Sequence, residues 1–135
     1  KELIIIQLVR NPRPDISPGP PFGVRAIRAG DTLYLSGCTS LDTSAAGKDV
    51  ITQAKVALDK IKRIVEAHGG SPADIVRLTI WVTDIESFRE PTTFDAFTRL
   101  MDDMFEGVFP TNSLIGTTGL AKPTMNIEIE ATAVF

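Results

Sequence analysis

The stretch "FPTNSLIGTTGL", Phe109 to Leu120, sets Asn112 beside Ser113 at a loop-to-strand transition, where an amide with two donors and one acceptor can face a ligand. Farther on, "TMNIEIEATAVF" carries Glu128 and Glu130. On a strand they share a face about 7 Å apart, and two carboxylates so placed divide acid and base work when their surroundings differ. A solvated strand face explains the same spacing. His68, the one histidine, suits a general base by its intrinsic pKa, but "EAHGG" puts it at a helix end, where a ring beside the last carbonyls has a structural role. Cys38 follows "LSG" at a strand end; a nucleophilic thiol needs a base or cation nearby, and a buried thiol is the favoured reading. Lys122, Arg25 and Arg28 are candidate anion receptors, although such residues are more often surface charges.

These residues need elements to position them. From Val50 to His68 the apolar residues Val50, Ile51, Ala54, Ala57, Leu58, Ile61, Ile64 and Val65 recur at helical spacing, with Asp49 as a cap and Gly69-Gly70 as a stop. "DIVRLTIWVTD" alternates, predicting a strand with Val76, Leu78, Ile80 and Val82 on its apolar face. A second helix is expected from near Pro91, carrying Phe94, Phe97, Met101, Met104 and Phe105 on one side. The last segment alternates from Met125 to Ala133 and reads as a long strand. "VRAIRA" and "TLYLSG" flank Ala29-Gly30-Asp31 as a hairpin, "NPRPDISPGPPFG" reads as an irregular connection, and the opening "KELIIIQLVR" reads as a strand. One sheet carrying two helices on one face satisfies this order. Its other face then calls for a second subunit as cover.

Composition narrows the function. A chain of 135 residues, 43% hydrophobic, suits one domain over residues 1–135. A net charge of -3 argues against a nucleic-acid partner. One cysteine and one histidine leave too few soft ligands for a zinc site, so no metal or cofactor is expected, and the lone thiol suits a reducing cytoplasm. The opening apolar run is too short for a membrane span, so no membrane partner is expected either.

"AGDTLYLSG", "EAHGGSPADIVRLTIWVTDIESF" and "FPTNSLIGTTGLAKPTMNIEIEATAV" together resemble the Rid family, the reactive intermediate deaminases also called YjgF-like proteins. The resemblance implies an α+β, chorismate-mutase-like fold: one mixed β-sheet with two helices on one face, assembled as a homotrimer with a barrel core and with ligand sites between subunits. It further implies a hydrolase of the enamine/imine deaminase type acting on a small molecule. Glu128 matches the glutamate that handles water, which turns its reading toward the pocket and leaves Glu130 as structural. Ser36 and Gly37 border the cleft, Cys38 stands where many relatives have glutamine, and Gly23 stands at a position often held by tyrosine.

Asn112 matches an arginine that forks onto the substrate carboxylate. Asparagine offers neither the charge nor the five donors, a loss on the order of 1.5 to 3 kcal/mol for a charge-assisted contact. Either Lys122, Arg25 or Arg28 replaces that cation, or the recognised group is neutral and Asn112 holds it by hydrogen bonds. Backbone N–H groups near Gly37 and Cys38 are expected to steady a developing anion. The alternative is a non-catalytic trimer that binds a small ligand or acts as a chaperone-like surface.

Overall fold

The computed structural model describes residues 7–135; of the strand expected over the first ten residues, Lys1 to Ile6 lie outside the described residues. Among the described residues six strands form one sheet: β1 (Leu8–Asn11), β2 (Ala26–Ala29), β3 (Thr32–Leu35), β4 (Ile75–Val82), β5 (Thr111–Gly116) and β6 (Ile127–Val134). Their order is β1-β2-β3-β6-β4-β5. Only β4 and β5 run parallel, as the helical crossover between them requires, so the sheet is mixed. Gly30, at φ 60°, turns the β2–β3 hairpin, a conformation glycine adopts without steric cost.

Helix α1 (Val50–Ala67) starts where the Asp49 carboxylate accepts from the Thr52 amide at 3.1 Å. Its apolar stripe packs on β6, and the long helix α3 (Pro91–Phe105) packs beside it, closing one core over one face of the sheet. The α+β architecture with two long helices on a mixed sheet therefore matches the expectation. Among the described residues no helix is long and apolar enough to cross a membrane.

Two details differ. Val76 was expected inside and is 43% exposed, because the register of β4 against β6 slips between Ile75 and Arg77. The irregularity turns Ile75 inward instead, at 2% exposure. A one-turn helix α2 (Ile85–Phe88), capped by Asp84, also precedes α3. It drives Phe88 into the core edge-on against Phe97, ring centroids 5.2 Å apart, and leaves Phe94 half-exposed at the rim.

The core-facing residues of β6 are Ile127, Ile129, Ala131 and Ala133. Glu128, Glu130 and Thr132 point to the opposite face, opposite Trp81, Thr79 and Arg77 of β4. That face also carries Tyr34, 54% exposed. It is more polar than the alternation in β4 alone suggested.

Candidate functional site

Glu128 is half-buried, and three features of the chain surround it. Below it, Cys38 pairs with Ile129 as an antiparallel bridge, Cys38 N–H donating to the Ile129 carbonyl at 2.8 Å and Ile129 N–H to the Cys38 carbonyl at 3.0 Å. This bridge brings Gly37 directly against the glutamate. A Cβ added at Gly37 would lie 2.5 Å from Glu128 Cδ and 2.7 Å from Oε2, so only a residue without a side chain lets the carboxylate occupy this place. Burial raises the Glu128 pKa above the ordinary carboxylate value, the charge of Glu130 adds to the rise, and Arg25 opposes it. Trp81 Nε1–H donates to Glu130 at 3.4 Å, which steadies Glu130 on the same face. The two carboxylates thus have different surroundings.

Ser36 stands at the end of β3, its hydroxyl donating to the Val24 carbonyl at 2.6 Å and its N–H to the Arg25 carbonyl at 2.9 Å. It also lines a cavity of about 620 Å³ bounded by Phe22, Gly23, Val24, Ile27 and Tyr34. Cys38 turns the other way. Its thiol is 1% exposed, accepts from the Ser17 hydroxyl at 3.7 Å, and is pushed to a higher pKa by burial. With its N–H spent on Ile129, Cys38 has no donor left for a bound anion, so that part of the expectation is corrected. The Gly37 N–H makes no hydrogen bond among the described residues and remains the available donor beside Glu128.

The three candidate cations separate cleanly. Lys122 is exposed on the turn before β6. Arg28 donates to the carbonyls of Gly30 at 3.0 Å and His68 at 3.1 Å and lies over the Phe135 ring, 4.6 Å from its centroid. It closes the C-terminal end of α1. His68 belongs to the same corner: its Nδ1 lies 2.9 Å from the Ile64 carbonyl, which only an N–H can satisfy, leaving Nε2 to accept from Asn11 Nδ2 at 3.1 Å. Its structural reading stands. Arg25 is different, at 5% exposure with its guanidinium against Gly19 and its charge acting on Glu128.

Asn112 is exposed on the edge strand β5, where it pairs with Leu78 of β4, whereas Glu128 pairs with Trp81. Leu78 and Trp81 are three residues apart and face opposite sides. Within one protomer Asn112 and Glu128 are therefore about 14 Å apart between backbones, at standard strand spacings, and on opposite faces of the sheet. One chain does not bring them together.

Lys60 is a residue that helical periodicity of apolar types misses. It is 4% exposed on the core face of α1, and its ammonium donates to the carbonyls of Thr39 at 2.6 Å and Leu41 at 3.1 Å, tying the segment after Cys38 to the helix. Burial lowers its pKa.

A family model described as Endoribonuclease L-PSP matches residues 16–135. The chain belongs to the Rid family, also called YjgF or L-PSP. The 2-iminobutanoate/2-iminopropanoate deaminase of Salmonella typhimurium is 35% identical to this Rid protein over 114 residues, covering 82% of this chain and 85% of that one. Among solved structures, PA3499 of Pseudomonas aeruginosa superposes with a TM-score of 0.81 at 30% identity, over 96% of this chain and 94% of its own. Rv2704 of Mycobacterium tuberculosis, described as a member of the YjgF/YER057c/UK114 family, superposes with a TM-score of 0.74 at 27% identity, over 96% of this chain and all of its own, 100%.

Proposed function

We propose that this Rid protein is a hydrolase of the enamine/imine deaminase type, acting on a small metabolite in clefts between the subunits of a homotrimer. The observation that carries the reading is Glu128: a half-buried carboxylate with a raised pKa, seated where a Cβ on residue 37 would displace it. The 35% identity to a 2-iminobutanoate/2-iminopropanoate deaminase over most of both chains supports it.

The chemistry follows from that carboxylate. Glu128 accepts a proton from a water as the water oxygen attacks the C=N carbon, forming a carbinolamine. It returns the proton to nitrogen, then takes the carbinolamine hydroxyl proton and delivers it to the same nitrogen, so that the C–N bond breaks and ammonia leaves as the carbonyl forms. Water and an imine thus become ammonia and a ketone, with Glu128 regenerated. A pKa above the ordinary carboxylate value suits both halves of this exchange, since the group must hold the proton and then surrender it. The free N–H of Gly37 supplies a donor beside the reacting centre.

A site shared between subunits accounts for Asn112 and Glu128 facing opposite sides of the sheet, because a neighbouring copy brings one residue to the other. The test generates 2-iminopropanoate in place with an amino-acid oxidase and follows its loss, alongside light scattering for mass. Turnover above background that falls in Glu128→Ala, from a particle of three chains, supports the proposal. No turnover, with a small ligand retained through purification, points to the binding protein instead. A monomer with full activity overturns the shared cleft.

A further inference from the structure

Arg25 is the buried charge for which the fold offers no partner. Among the described residues its guanidinium makes no hydrogen bond and no ion pair within 4.0 Å, although the residue is only 5% exposed. The fully buried side-chain polar atom without a partner among the described residues is Ser40 Oγ, so the Arg25 nitrogens keep some solvent contact and their donors stay open to an anion. The seat is built. The guanidinium lies against Gly19 so closely that a Cβ there would stand 2.2 Å from its Cζ and both terminal nitrogens, and it passes 3.5 Å from the position of a Cβ on Gly23. Two glycines of the Pro-rich connection thus leave room for the planar fork.

Its direction matters as much. The Arg25 charge acts on Glu128, yet no contact within 4.0 Å joins the two, so the cation stands near the carboxylate without being spent on it. Ser36 and Gly37 border this end of the strand, and the Ser36 amide is held by the Arg25 carbonyl at 2.9 Å, which fixes the two residues relative to each other. Asn112 cannot substitute within the protomer, because it faces the other side of the sheet.

We propose that Arg25 is the anion receptor of this site: a small 2-imino or 2-oxo carboxylate docks on its guanidinium and presents the carbon beside the carboxylate to Glu128. The inference rests on the reading of Glu128 as the water-handling group. It assigns to the β2 end of the sheet the recognition that Asn112, being uncharged, does not supply. It also sets the substrate class, since a neutral amide in place of the carboxylate forfeits the charge-assisted fork.

Calorimetric titration with pyruvate and with its neutral amide, pyruvamide, tests this on the intact protein and on Arg25→Gln, Arg25→Lys, Gly19→Ala and Arg28→Gln. The wild type and Arg28→Gln are expected to prefer pyruvate. Arg25→Gln should weaken pyruvate by about tenfold or more, the usual worth of a charge-assisted contact, and abolish the preference. Gly19→Ala keeps the charge but displaces the fork, so it too should weaken pyruvate, which keeps the test decisive should Arg25→Gln fail to fold. Pyruvate bound equally by wild type, Arg25→Gln and Gly19→Ala overturns the assignment even if imine turnover is seen. Arg25-dependent pyruvate binding without any imine turnover leaves the receptor standing and removes the deaminase reading.

Discussion

The Cδ of Glu128 lies 2.5 Å from where a Cβ on Gly37 would stand. The contact is with the far end of a flexible side chain, so an alanine at residue 37 is accommodated by swinging the carboxylate away. Gly37→Ala is therefore expected to change stability by no more than about 1 kcal/mol in either direction. Its kcat for imine hydrolysis should fall by about a hundredfold or more, the usual worth of a positioned acid–base group. A thermal melt beside a steady-state assay checks both; parallel losses of fold and activity would mean that residue 37 is structural.

Glu128 also leaves a signature in stability. Burial and the charge of Glu130 raise its pKa, so the folded chain holds this proton more tightly than the unfolded one. Protonation then favours folding, an advantage present below the ordinary carboxylate range and lost as pH rises through the raised value. Glu128→Gln, which never ionises, should melt above the wild type at about pH 7.5, with the gap closing by about pH 4. A gap independent of pH would assign the effect to packing.

Asn112→Arg is expected to raise turnover of 2-iminopropanoate in the Arg25→Gln background and to change it little in the wild type. The first outcome follows if a new cation reaches the shared cleft from a neighbouring subunit; the second follows if Arg25 already holds the carboxylate. Rates measured for the two single variants and the double variant decide between coupling and independence.

Arg28 predicts the opposite pattern to Arg25. It bonds two carbonyls at the end of α1 and covers Phe135, and it takes no part in the site. Arg28→Ala should cost about 1 to 2 kcal/mol of stability. Denaturant titration reads that loss, and KM for the imine should stay as in the wild type.

Local periodicity made the two long helices, the β2–β3 turn and the long last strand legible, because each depends on residues a few positions apart. The failures are non-local. Val76 could not be placed without the slip between β4 and β6, and Phe94 lost its expected burial to Phe88 from a helix of one turn. Gln53 and Lys60 interrupt the apolar stripe of α1 yet are 0% and 4% exposed, because Gln53 bonds the Thr124 carbonyl and Lys60 the Thr39 and Leu41 carbonyls, on loops that only the fold brings near. Among the site residues, Glu128 beside Ser36 and Gly37 followed from the family resemblance, and the Cys38–Ile129 bridge puts those segments in contact. The opposed faces of Asn112 and Glu128 emerge only from strand register, and the burial of Arg25 depends on a loop whose sequence shows little beyond its glycines and prolines.

The ammonium of Lys60 moors the stretch just past Gly37 to the body of α1. Under the proposed mechanism, the Glu128 carboxylate seated against Gly37 thus takes part of its alignment from a helix as well as from the end of a short strand. Loosening that one tether would blur the geometry of catalysis while leaving the scaffold folded, so wear at a distance from the reacting atoms would be read first as lost rate.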